Sequence, residues 1–168
     1  MTPLVAMRRN VLEVRPSEIQ GFGAFATTRI RKGARIIEYT GQRVSPDEAD
    51  RRYDDDASEH PRVLLFSVDS RTVIDAGVGG NEAQYINHSC EPNCAAITER
   101  RHVYIEALRN IEEGEELLYD YNLTRHDDDA PHLEERYACH CGAPTCRGTM
   151  LTPAGKKKRK RRGKAKTS

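Results

Sequence analysis

Residues 84–90, Gln-Tyr-Ile-Asn-His-Ser-Cys, constrain the fold more than any other stretch of the chain. Two apolar side chains, Tyr85 and Ile86, stand directly beside four groups able to hydrogen-bond or bind metal, which is too dense a mixture for an ordinary surface loop. The stretch alone names no enzyme. For His88 the residue type leaves two readings open, a core histidine with satisfied hydrogen bonds or a ligand.

A second cluster lies near the C-terminus. Residues 139–146, Cys-His-Cys-Gly-Ala-Pro-Thr-Cys, supply three thiolates in a Cys-x-Cys-x4-Cys run, and tetrahedral zinc takes four. The total of five cysteines is odd for a disulfide framework and suits a reducing compartment better. No apolar run of membrane-spanning length and no secretory leader of the usual kind is visible, so a soluble protein with no membrane association is expected.

At 168 residues the chain has room for one domain with a real core, and we expect a tail besides. The formal charge of +1 conceals an asymmetry: nine of the 27 Lys and Arg lie in residues 156–168, which hold no acid, so 18 basic residues face all 26 acidic ones in residues 1–155, a balance of −8. An acidic body carrying a basic arm follows. Lysine is more polarised still, since Lys32 is the single lysine outside the arm.

Residues 9–15 and 23–28 read as strands around turns marked by Pro16, Gly21 and Gly23. Residues 21–26, Gly-Phe-Gly-Ala-Phe-Ala, match a dinucleotide fingerprint, but residues 27–33 have no helical period and a Rossmann site is rejected. Both glycines can equally serve a tight turn alone. Residues 35–39 form a β-branched strand, in which Tyr39 reads as an ordinary packed aromatic. Ser45-Pro46-Asp47-Glu48 starts a helix that ends near Tyr53. Residues 54–56 and 126–129 read as acidic loops, the first either merely solvated or attracting a basic substrate. Residues 63–68 and 72–74 read as strands, 79–81 lead into a short helical or irregular segment, and 94–98 with 103–107 form a hairpin. Residues 110–116 read as a turn, before a strand over 117–121.

Five motifs in order carry a resemblance: Gly21 to Gly23, Glu38-Tyr39-Thr40-Gly41, Asn87-His88-Ser89-Cys90, Gly-Glu-Glu-Leu-Leu-Tyr-Asp-Tyr over 114–121, and the cysteine run. Over residues 10–150 the chain resembles the SET-domain protein-lysine methyltransferases that carry a post-SET zinc motif, of a minimal stand-alone type. The resemblance implies a mostly β, SET-domain fold of small twisted sheets around a pseudoknot, with a few short helices and a C-terminal zinc-binding segment. It implies an N-terminal lead over 1–9, a SET domain over 10–136, a post-SET zinc segment over 137–150 and a disordered basic tail over 151–168.

The same resemblance implies S-adenosylmethionine as methyl donor, touched by Gln20, Phe22, Gly23, Tyr39, Asn87 and His88. Tyr121 would supply the catalytic hydroxyl. Tyr39 would line the lysine channel, and Tyr119 would occupy a Phe/Tyr position where a hydroxyl favours mainly monomethylation. Cys90 would join Cys139, Cys141 and Cys146 around structural zinc, leaving Cys94 as a small core residue. Gln42 and Gln84 stand where the family often has Glu and Arg.

The implied substrate is a lysine in a basic protein, a histone or nucleoid protein. The arm over 156–168 suits nuclear targeting, phosphate-backbone binding or methylation by its own catalytic domain. Location then follows the arm: nucleus or chromatin, the cell's own or a host's, or else bacterial cytoplasm or nucleoid. The rival readings are a SET-like binding module without turnover and a nucleic-acid-binding protein acting through the arm.

Overall fold

The computed structural model describes residues 10–53, 63–124 and 132–153. The first hairpin joins β1 (Leu12–Pro16) to β2 (Phe22–Ala26), antiparallel, with Leu12 opposite Ala26 and Pro16 opposite Phe22. Pro16 ends its strand, where a missing N–H costs little, and Gly21 takes a left-handed φ of 47° that permits the turn.

β3 (Arg35–Glu38) and β4 (Gln42–Val44) precede α1 (Pro46–Arg52). The helix starts as its sequence dictates: the Ser45 side chain accepts from the Glu48 N–H, proline follows the cap, and acids fill the first turn. At its other end Arg52 reaches the carboxylate of Asp75 at 2.9 Å, and the Tyr53 hydroxyl donates to the same group at 2.8 Å. Asp75 is fully buried on β6 (Thr72–Asp75), and the Gly77 N–H supplies a further donor at 2.9 Å. A buried carboxylate with these partners ties helix, sheet and the following turn together. β6 is the middle strand of a three-stranded sheet, flanked by β4 and by β5 (Leu65–Asp69).

The other sheet has the order β3-β9-β8-β10-β7. β8 (Cys94–Glu99) and β9 (His102–Ala107) are a hairpin turned by Arg100 and Arg101, both at positive φ. β10 (Leu118–Tyr119) lies between β7 (Asn87–His88) and β8, parallel to both. Because residues 89–93 join β7 to β8, that connection must cross over β10. Asn93 fastens the crossing: its side chain donates to the Glu116 carbonyl and accepts from the Leu118 N–H, both at 2.8 Å. This interleaving is the expected pseudoknot. The core beneath it gathers Ala24, Ala26, Ile30, Ile74, Ile86, Val103, Ile105, Ile111 and Leu117.

Before β7, a short 3-10 helix (Glu82–Tyr85) is capped by Asn81. After β10, α2 (Leu133–Arg136) leads into the cysteine run, and the chain returns through bridges of Ala138 to Thr149 and of Leu123 to Leu151. Among the described residues no helix is long and apolar enough to cross a membrane.

The differences from expectation are local. Pro16 lies within β1 rather than beyond it, and the strand expected over 117–121 is a two-residue ladder. Glu116 is no turn residue: it bridges Phe25, and the flanking Glu115 and Leu117 bond to Ala26 and Ala24. β4 and α2 were not foreseen, being too short to show a period. The lead 1–9, the acidic loops 54–56 and 126–129, and the basic arm 156–168 lie outside the described residues, whereas Leu151, expected in a disordered tail over 151–168, is buried and bridges Leu123.

Candidate active site

The turn after β1 and the start of β7 form one unit. The Asn87 amide nitrogen donates to the carbonyls of Gln20 and Phe22 at 3.3 and 3.0 Å and to the Glu116 carboxylate at 2.9 Å. The same carboxylate oxygen accepts from the Ser17 hydroxyl at 2.8 Å. Gly23 sits so close that a side chain there would overlap the Glu116 carboxylate. Phe22 is more than half exposed and meets Tyr85 edge-on at 6.4 Å between centroids.

His88 is buried, and burial pushes its imidazole down to about 4 even though Asp120 stands nearby. Its Nδ1 accepts the Tyr121 N–H at 3.0 Å, so the neutral ring carries its proton on Nε2, 3.4 Å from the Cys90 sulfur. The 3.6 Å approach of Asp120 to Nδ1 therefore sets two acceptors side by side rather than an ion pair. Asp120 instead takes Arg147 in a two-point bridge at 2.7 and 3.0 Å.

Three tyrosines cluster beside this unit. The Tyr121 hydroxyl donates to the Ile86 carbonyl at 2.7 Å, and its ring lies 4.8 Å from that of Tyr119 and 5.3 Å from His88. Tyr39 packs on Phe66 at 5.6 Å and donates to the Leu64 carbonyl at 2.9 Å. Tyr39 and Tyr119 are core residues, 2% and 5% exposed, whereas Tyr121 reaches a cleft wall. Burial, reinforced by Tyr121 and Tyr39, holds the Tyr119 phenol well above its ordinary value, so it keeps its proton.

Cys90, Cys139, Cys141 and Cys146 bring their sulfurs within 4.8 Å of one another. Cys90 lies 3.7 Å from Cys139 and 4.0 Å from Cys146. Four thiolates about 2.3 Å from a tetrahedral zinc are about 3.8 Å apart, so the quartet fits zinc and is far too open for disulfides. The N–H groups of Arg147 and Gly148 point at Cys90 and Cys146, each at 3.4 Å, as donors to thiolates do. Thr145 bonds Glu91 through both its hydroxyl and its N–H. Cys94 is buried at 0% exposure, and burial pushes its thiol up to about 12, so it is an inert core residue.

Two adjoining clefts share Gln20 and Asn87 as a common wall. One, of about 730 Å³ including its mouth, is closed by His88 and by Cys139, His140 and Met150 of the cysteine segment. The other is lined by Gly21, Phe22, Gln84, Tyr85 and Tyr121. The fold thus gathers Gln20, Phe22, Asn87, His88 and Tyr121 around these two clefts, with Cys139 and His140 of the cysteine segment in one wall, whereas Gly23, Tyr39 and Tyr119 line neither. Gln42 keeps an acceptor role, taking Arg52 at 2.8 Å, and Gln84 donates to the Asn81 carbonyl at 3.1 Å. Nothing in the sequence singles out Glu116, Asp120 or Arg147 as site residues, beyond the first two falling inside the 114–121 motif.

The SET domain family matches residues 21–122. The chain is 40% identical over 146 residues to the histone-lysine N-methyltransferase ATX2 of Arabidopsis thaliana, covering 80% of this chain and 12% of the plant protein. It is 42% identical over 146 residues to the H3 lysine-4 specific histone-lysine N-methyltransferase of Saccharomyces cerevisiae, covering 80% of this chain and 12% of the yeast protein. Against histone-lysine N-methyltransferase 2D of Homo sapiens identity is 36% over 146 residues, 84% of this chain and 2% of the human protein. The chain spans only a small part of the length of these relatives. With the motifs in order, the strands interleaved and the family matched over most of the described core, the chain belongs to the SET domain family.

Proposed function

We propose that the chain is a protein-lysine methyltransferase that uses S-adenosylmethionine to methylate, mainly once, a lysine of a basic, histone-type protein. The observation that carries the reading is the convergence of Gln20, Asn87 and Tyr121 on one cleft wall beside the cysteine segment. The names borne by its relatives support the histone class.

The donor supplies an electrophilic methyl on a sulfonium. Gln20, Phe22, Gly23, Asn87 and His88 would hold it, and the protein's remaining task is to present a neutral amine. A free lysine has a pKa near 10.4 and arrives protonated. The Tyr121 ring on the cleft wall, with Tyr119 packed against it at 4.8 Å, would strip water from an entering side chain, and desolvation disfavours the ammonium. The Tyr121 hydroxyl, anchored on the Ile86 carbonyl, retains lone pairs that orient an amine N–H. Holding the reactants together contributes about 7 kcal/mol or more. A Tyr119 hydroxyl at the end of the lysine channel would take space that a second methyl needs, and on that ground the reading is mainly monomethylation. Zinc on Cys90, Cys139, Cys141 and Cys146 would be structural, fixing the wall that Cys139 and His140 form.

The same reading keeps a SET domain over 10–136 and a zinc segment over 137–150, with the arm 156–168 directing the protein to the nucleus or chromatin. One observation favours a second role: the arm's nine basic residues without an acid suit nucleic acid. Its lysines, set against the single Lys32 elsewhere, make the arm a candidate substrate too. A radiolabelled-donor assay against histones, nucleoid proteins and the protein itself, with Tyr121→Phe as control, tests the proposal. Transfer to none of them refutes it. Deleting residues 156–168 leaves turnover on a short peptide if the core is the enzyme, and abolishes all activity if the arm alone acts.

A further inference from the structure

Glu116 lines neither of the two clefts described above, yet its side chain joins the two pieces of chain that form their shared wall. Its backbone is pinned first: Glu116 bridges Phe25 of β2, and its carbonyl accepts from Asn93 at 2.8 Å. From that fixed point one carboxylate oxygen accepts from both Ser17 and Asn87, at 2.8 and 2.9 Å. The Ser17 hydroxyl in turn accepts the Ile19 N–H at 3.0 Å, so Glu116 holds the turn that carries Gln20 to Phe22. Gly23 has no left-handed φ to explain it; its missing side chain makes room for the Glu116 carboxylate.

The three partners of the Asn87 nitrogen are all pure acceptors: two carbonyls and a carboxylate. The reverse orientation would face the amide oxygen with three acceptors, so the network allows one orientation. Among the described residues no hydrogen bond uses the Asn87 Oδ1, and Asn87 lines both clefts, so this oxygen is the acceptor left for a ligand N–H.

We infer that Glu116 is a positioning residue that clamps the 17–23 turn to Asn87 and sets the Asn87 amide to receive an amino group of the bound methyl donor. The inference rests on the proposed donor site. Calorimetric titration with S-adenosylhomocysteine, the demethylated donor, is the direct test. Glu116→Ala should weaken binding about tenfold, the loss of roughly one charge-assisted bond. Glu116→Gln, which keeps an acceptor oxygen, should stay within about threefold of the parent. In turnover the same pattern should appear in the donor KM, with the acceptor KM unchanged. Equal binding by the parent and Glu116→Ala overturns the inference, as does Glu116→Gln binding as weakly as Glu116→Ala. Hydrogen exchange at residues 17–23 separates this from the donor reading: it should quicken in Glu116→Ala and not in Glu116→Gln, whether or not the ligand binds. Failure of the parent to bind, with that exchange pattern intact, removes the donor site and the donor role of Asn87 but leaves the clamp; without the pattern the clamp falls too. If Glu116→Ala does not fold, Ser17→Ala takes its place and should quicken the same exchange.

Discussion

The bridge between Arg147 and Asp120 can be broken without touching a cysteine or a tyrosine, and its loss should loosen the cysteine segment. Two charge-assisted bonds of 2.7 and 3.0 Å join side chains 30% and 20% exposed. A buried pair of this kind is worth roughly 1.5–3 kcal/mol, and partial exposure discounts it to about 1–2. That is roughly a 5- to 30-fold shift in the docking of the segment. Arg147→Gln and Asp120→Asn should each speed the transfer of zinc to a chromogenic chelator by that factor, and the double variant should be no faster than either single one. Burial raises the Asp120 carboxyl, but the Arg147 bond and the Asn122 N–H more than offset it and leave it below its ordinary value; Arg147 is raised by the same bond. The contribution is therefore complete above the unfolded carboxylate pKa of about 3.9 and is lost only as pH falls through the lower folded value. The coupling should be constant between about pH 6 and 9. Additive effects of the two substitutions would refute the latch.

Further outcomes follow from other contacts. Tyr121→Phe removes the bond to Ile86 and should lower turnover about 100-fold, as loss of an oriented catalytic hydroxyl does, while calorimetry shows donor affinity unchanged. Asp75→Ala leaves Arg52 and Tyr53 without their buried acceptor and should cost about 3 kcal/mol, roughly 6–12 °C in Tm by thermal melting. Arg100 sits at a φ of 49° in the β8–β9 turn, so Arg100→Gly should stabilise by about 1 kcal/mol in urea unfolding. Zinc removal should abolish turnover and raise hydrogen exchange in 137–153, leaving the β8–β9 hairpin protected.

What could be read in the sequence was whatever is local or periodic. Ser45-Pro46 announces α1 within a residue of its start, and the alternation over 94–107 announces the hairpin. The cysteine quartet was legible through the resemblance, and its sulfur spacing now supports it. What escaped depends on tertiary reach. Four acids, at 112, 113, 115 and 116, look alike in the sequence, yet only Glu116 turns under a glycine 93 positions earlier in the chain. Asp120 was hidden between two tyrosines, and its partner Arg147 lies across the fold. β4, with the sequence Gln-Arg-Val, carries no strand signal of its own and exists because β6 offers it an edge.

The crossing of residues 89–93 over β10 also sets an order of events during synthesis. β7 and β8 flank a strand made later in the chain, so neither can pair with β10 until residues 118 and 119 have left the ribosome. The hairpins β1–β2 and β8–β9 close on local contacts well before that. Asn87 and His88 therefore come to rest among the last parts of the fold, when one short strand slides into the gap left for it.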